Sequence, residues 1–73
     1  MIREAIVKLV HKENLTYEMA EGAMDEIMEG KADPIQISAF LTAMTMKGET
    51  IEEITACANG MRKHGIHMEH DKD

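Results

Sequence analysis

The chain has no tryptophan, one phenylalanine, one tyrosine, one proline and one cysteine in 73 residues. With so few aromatics, a core has to be built from Ile, Leu, Val, Ala and the eight methionines, a set that fills irregular space but specifies it loosely. The single thiol, Cys57, excludes an intrachain disulfide and suits a reducing compartment. None of the five glycines forms a G-x-G, which removes the usual dinucleotide or phosphate loop. Basic residues are scarce too: eight Lys and Arg stand against fourteen Asp and Glu, a net charge of −6 with no basic cluster. Counterion release from nucleic acid would supply little affinity, so nucleic acid is not an expected partner. No apolar run reaches the length needed to span a bilayer, and the opening MIREAIVKLVHKEN is charged throughout instead of following a signal-peptide pattern. No membrane partner is expected, and the chain reads as soluble and cytoplasmic.

Against this background one stretch stands apart. Pro34 to Met46, PIQISAFLTAMTM, carries no charge in a chain that is 30% charged. Laid on a helix, Ile37, Phe40, Leu41 and Met44 fall on one side and Ile35, Ala39, Thr42 and Met46 on the other. A surface helix of a monomer needs one apolar stripe; this one has two. The first should pack on the other helices of the same chain, and the second needs a partner. An isologous contact covers such a face on both copies at once, and fully burying an Ile or Met is worth roughly 1.5 to 3 kcal/mol. A homodimer through Ile35, Ala39, Thr42 and Met46 is the expectation, with the first helix at its rim.

The remaining chain divides around this element. Ile2, Ala5, Ile6, Leu9 and Val10 recur at helical spacing, giving a first amphipathic helix over 2–12. Asn14 and Leu15 form a break. Thr16 then N-caps a second helix over 17–29, with Ala20, Ala23, Met24, Ile27 and Met28 inward and Gly30 as its stop. Asp33, Pro34 and Gln36 make a capping box with a proline start for the third helix, 34–47, which Gly48 ends. Thr50 and Glu53 form a T-x-x-E box for a fourth, 51–64, with Ile51, Ile54, Cys57, Ala58 and Met61 inward. Gly60 within it is either a tolerated helix glycine or, with Ala56, a site of close backbone approach. The fold class is all-α, a small bundle of four helices with neighbours roughly antiparallel. Residues 1–65 form the helical domain, and 66–73 a polar tail or the start of a hinge.

Candidate chemistry is sparse. His64, His67 and His70 have a spacing that could share a metal ion, but the segment lies past a helix stop with nothing to fix its geometry, and a solvated polar tail is the better explanation. Asp25 to Gln36 imitates part of a calcium loop, yet Ile27 and Gln36 occupy positions that need oxygen ligands and Pro34 intrudes. Cys57 reads as a small hydrophobe, and Ser38 has no histidine near it in sequence. No catalytic, cofactor-binding or metal-binding residue is assigned.

The residues LT at 15–16 and AMDEIMEGKADPIQISAFLTAMTMKGETIEEITACANGMRKHG from Ala23 to Gly65 resemble the N-terminal helical domain of the anthranilate phosphoribosyltransferase family. The most specific pieces are MKGET from Met46 to Thr50, the EEI after it, and Met61–Arg62. Pyrimidine nucleoside phosphorylases share this domain, but their usual turn has Met where Glu49 stands. The resemblance implies part of an enzyme of tryptophan biosynthesis, a dimerising domain ahead of an α/β domain that binds phosphoribosyl pyrophosphate and Mg²⁺. That catalytic domain is absent from these residues, so the chain alone should be inactive and is expected to be truncated. Met19 departs from the family by leaving the Thr16 cap without an acidic N3 partner. A free-standing helical dimerisation or adaptor module would carry the same residues, and the downstream coding region separates the two.

Overall fold

The computed structural model describes residues 1–66. It contains four helices: α1, Ile2–Val10; α2, Tyr17–Met28; α3, Pro34–Lys47; and α4, Ile51–Lys63. Among the described residues there is no strand. No helix among them is long and apolar enough to cross a membrane. The tail histidines His67 and His70 lie outside the described residues.

The caps form where local chemistry places them. Thr16 Oγ1 accepts from the Met19 amide at 3.2 Å. Both capping boxes are complete, Asp33 with Gln36 and Thr50 with Glu53. Helices α1, α2 and α4 end one or two residues earlier than the periodicity suggests, each closing with paired 6→1 and 5→2 bonds. Lys31 and Gly30 donate to Glu26 and Ile27, and Ile66 and Gly65 donate to Met61 and Arg62. In α1 the same closure uses Lys12, whose φ of 64° puts a side-chain-bearing residue in the left-handed region that glycine usually fills.

The packing pairs are α1 with α3, α2 with α4, and α1 with α2. The Ile2 amide donates to Glu26 Oε1 at 3.0 Å, so α1 and α2 run in opposite senses. The other two pairs run in the same sense. Tyr17 meets Asn59 and Asp25 meets Lys63 along α2 and α4. At one end of the α1–α3 pair a recess brings Ile2 beside Gln36, and at the other a recess brings Val10 beside Met46. Successive helices thus alternate in direction, but the extensive pairs join alternate helices, which corrects the expectation of antiparallel packing neighbours. It also corrects the idea that α3 is the common centre for the other three, because α3 lies chiefly on α1.

The core consists of Ile2, Ala5, Leu9, Leu15, Ala20, Ala23, Met24, Phe40, Met44 and Ala56. Four expected inward residues are outside: Val10, Leu41, Ile51 and Ile54 are all more than half exposed. On α4 the buried positions are Glu53, Ala56 and Gly60, a face turned by roughly one residue from the expected stripe. Leu15, read as part of a break, is buried.

Gly60 is a close approach. A Cβ built there would stand 3.0 Å from both Cβ and Cγ of Met24 and 3.5 Å from the Glu21 carbonyl oxygen. Met24 Cβ is fixed to its backbone and cannot swing away, so adding bulk must separate the helices. Gly60→Val is expected to destabilise the domain by about 2 kcal/mol through overpacking, read as a lower urea midpoint. A midpoint equal to or above wild type would mean that α2 and α4 have slack at this point.

Candidate functional site

Three features of the fold bear on function: a buried ion pair, an uncovered face on α1 and α3, and a cleft between α3 and α4.

Glu53 has no exposed surface, although a carboxylate taken out of water without partners is costly. Its partners come from two connections. The Lys47 ammonium donates to Glu53 Oε1 at 2.9 Å, the Thr50 amide donates to the same oxygen at 2.9 Å, and the Leu15 amide donates to Oε2 at 2.6 Å. The Lys47 side chain is itself 4% exposed, and its other protons go to Asn14 Oδ1 at 3.0 Å and the Gly48 carbonyl at 2.7 Å. All three ammonium donors are used. Burial pushes the Glu53 carboxyl up, but the Lys47 ammonium and then the Leu15 and Thr50 amides outweigh it and hold the group below the usual carboxylate value. The pair ties the α1–α2 loop to the α3–α4 turn, and both sets of oxygens and protons are occupied by the protein itself.

On α3 the four residues expected at a dimer interface are placed together on one side. Ile35 is 80% and Met46 72% exposed, Thr42 is exposed and Ala39 is half-buried. Val10 of α1 continues this side, because it lines a recess of about 190 Å³ with Leu9, Ala43 and Met46. Leu41 is not opposite them in the core but on the other shoulder of the helix, 51% exposed. The buried centre of α3 is Phe40 and Met44, so the helix has one inward face and an apolar flank on each side.

The C-terminal end of α4 is held by charge. Lys63 Nζ donates to Asp25 Oδ2 at 3.2 Å, and His64 Nε2 is 3.1 Å from Asp25 Oδ1. Burial raises the Asp25 carboxyl, yet Lys63 and His64 together bring it below its ordinary value. Asp25 therefore belongs to a helix clasp and not to a calcium loop, and among the described residues no three His, Cys, Asp or Glu gather in a metal-holding arrangement. Cys57 is half-buried. Burial and then the Glu53 carboxylate push its thiol up, as suits an unreactive side chain.

Residues 3–65 match the glycosyl transferase family, helical bundle domain. The chain belongs to that family. It is similar over all 73 residues to the anthranilate phosphoribosyltransferases of Lachnoclostridium phytofermentans, at 59% identity, and Methanobrevibacter smithii, at 52%. It is 60% identical over 62 residues, 85% of the chain, to that of Dehalococcoides mccartyi strain 195. The chain spans 22% of the length of the first two relatives and 18% of the third. No solved structure matches it. Within this family domain, Lys47, Gly48, Thr50 and Glu53 of the KGET-x-x-E run are the residues that build the ion pair. Sequence reasoning found the cap and missed the pair, because nothing in the spacing distinguishes a capping glutamate that faces water from one that faces Leu15.

The pair carries a pH-dependent part of the stability. A carboxyl whose value in the folded protein lies below that of the unfolded chain, about 4.3, stabilises above that pH and loses the contribution as pH falls through the folded value. Glu53→Gln leaves the Lys47 charge buried without its counter-ion and is expected to cost about 3 kcal/mol at pH 7. Urea denaturation of both proteins from pH 7 down to about 3 should show the gap narrowing below about pH 4. A gap that stays constant over that range would mean that folding does not shift the Glu53 carboxyl, and one that widens as the pH falls would mean that the carboxyl is protonated in the folded state.

Proposed function

We propose that the chain is the N-terminal helical domain of an anthranilate phosphoribosyltransferase. In this reading a longer cytoplasmic protein transfers phosphoribose from phosphoribosyl pyrophosphate to the anthranilate amine in tryptophan biosynthesis. The helical domain supports that reaction by joining two copies. The observation that carries the reading is the 59% identity over the whole chain to a transferase of which it spans 22%.

The residues themselves favour a supporting part over a chemical one. Mg²⁺ with a pyrophosphate needs carboxylates free to converge on it. Here Glu53 is bound by Lys47 and two amides, Asp25 by Lys63 and His64, and Glu26 by the Ile2 amide and the N-terminal ammonium. These carboxylates do not fit a Mg²⁺ site, and no step of the transfer is assigned to them. The direct test is turnover of anthranilate with phosphoribosyl pyrophosphate. The longer protein is expected to be active and the 73-residue chain inactive. Absence of activity in the longer protein would favour an adaptor that keeps the fold without the enzymology.

The joining role rests on the α1–α3 side. Ile35 and Met46 project, and the recess between Val10, Ala43 and Met46 lies on the same side, so the surface carries both a projection and a hollow. An isologous dimer needs both on one patch, because each copy presents the same residues to the other. Replacing Ile35 by Glu and Met46 by Asp together is expected to give a folded helical monomer, seen by sedimentation and circular dichroism. Persistence of the dimer would move the interface elsewhere, and unfolding would place those side chains in the intrachain core.

A further inference from the structure

We propose that Met46 is a site of reversible oxidation: peroxide converts its thioether to the sulfoxide on the separated chain, and the modified chain is then held apart from a second copy. The proposal rests on the reading that two copies meet through the α1–α3 side, and it adds a redox control to that contact.

The methionines are unevenly covered. Met24 and Met44 are buried, and Met19, Met28 and Met61 are half-buried. Three of these five, Met24, Met44 and Met61, line the cleft of about 250 Å³ between α3 and α4. Met1 is 48% exposed and lies against Gly22 of α2. Met46, at 72%, is the most exposed methionine among the described residues. It stands at the end of α3 beside the recess that Leu9, Val10 and Ala43 line. Susceptibility of a thioether to peroxide follows exposure. Cys57 is a poor competitor, because burial pushes its thiol up and leaves little thiolate to react.

The step balances with hydrogen peroxide alone. The Met46 sulfur attacks one peroxide oxygen, the O–O bond breaks, an S–O bond forms and water leaves; sulfur gives up two electrons and the peroxide takes them. The product exchanges a flexible apolar side chain for one with a strong acceptor oxygen. In water that oxygen is solvated, but in a contact between copies it needs a donor. The neighbouring Lys47 ammonium is committed to Glu53, Asn14 and the Gly48 carbonyl. The Thr42 hydroxyl and the Lys12 ammonium are both exposed, so meeting the sulfoxide takes them from water and gains little. An isologous dimer carries the change twice. One poorly met polar group per copy weakens the pair by roughly tenfold each, about a hundredfold together. The intact dimer covers the sulfur, so peroxide acts on the free chain. Methionine sulfoxide reductases reverse the change: the oxygen leaves as water while two thiols are oxidised to a disulfide.

The test uses the whole polypeptide that carries these residues, as wild type and as Met46→Leu, a swap of similar volume without the sulfur. Sedimentation first gives the dissociation constant of the untreated dimer. Hydrogen peroxide is then applied at protein concentrations below and above that constant, and peptide mass spectrometry follows the sulfoxide at each methionine. Met46 is expected to oxidise faster than the other methionines of residues 1–66, and faster in the dilute sample than in the concentrated one. Oxidised wild type should show a dissociation constant about a hundredfold higher with unchanged circular dichroism. A methionine sulfoxide reductase with thiol should restore the original constant, which reads the same step without any variant. Met46→Leu is expected to dimerise and to keep its constant under peroxide. An oxidised wild type that stays dimeric, equal oxidation rates at the two concentrations, or the same loss in Met46→Leu overturns the proposal and leaves a dimer in place. A protein that is monomeric before any peroxide is added removes the dimer reading and this proposal together.

Discussion

A carboxylate without exposed surface sets the geometry of this domain. Glu53 can be buried only where its charge and its lone pairs are met, and Lys47, Thr50 and Leu15 meet them from two separate connections. That requirement fixes the rotation of α4. Once Glu53 faces inward, Ala56 and Gly60 follow on the same face, and the small residues bring α4 close against Met24 of α2. The same rotation puts Ile51 and Ile54 in water. Domains of this kind have a net stability of roughly 5 to 15 kcal/mol, so losing one partner of a buried pair, about 3 to 5 kcal/mol, is felt by the whole fold. Leu15 shows the coupling at short range: its amide completes the carboxylate while its side chain enters the core.

What could be read from the residues and what could not divides by range. The four helices, the Thr16 cap, both capping boxes and the glycine stops at Gly30 and Gly48 are local, each specified within about five residues, and all of them form. The two-sided character of α3 was legible as well, because a run without charge has no side that prefers water. Its exact rotation was not. Leu41 and Phe40 are equivalent by hydropathy, and only the packing of the whole bundle puts Phe40 inside and Leu41 at the edge. Glu53 was least legible of all, since its role as the N3 residue of a capping box accounts for it fully, and a lysine in the last turn of a helix is favoured by the helix dipole without any partner. A pair formed between two residues each already explained leaves no residual signal in one sequence. Of the face expected at a dimer interface, Ile35, Thr42 and Met46 are exposed and Ala39 is half-buried, but exposure is a property of one chain and a partner is not.

The distribution of residue types suggests how a domain with so little aromatic content can be both rigid and receptive. Where two helices meet closely, the buried residues are small: Ala20 and Ala23 on α2, Ala56 and Gly60 on α4. Small residues have almost no rotamer freedom to lose, so this seam can be tight without a large entropic cost. Where helices stand apart, at the α3–α4 cleft, the lining is Met24, Met44 and Met61 together with Phe40 and Leu41. Methionine keeps its flexibility until something packs on it. The α2–α4 seam is therefore held by small residues packed on Met24, and the wall of the cleft is richer in methionine. Met24 belongs to both regions, against Gly60 in the seam and in the wall of the cleft, so a change that separates α2 from α4 is also felt in the cleft.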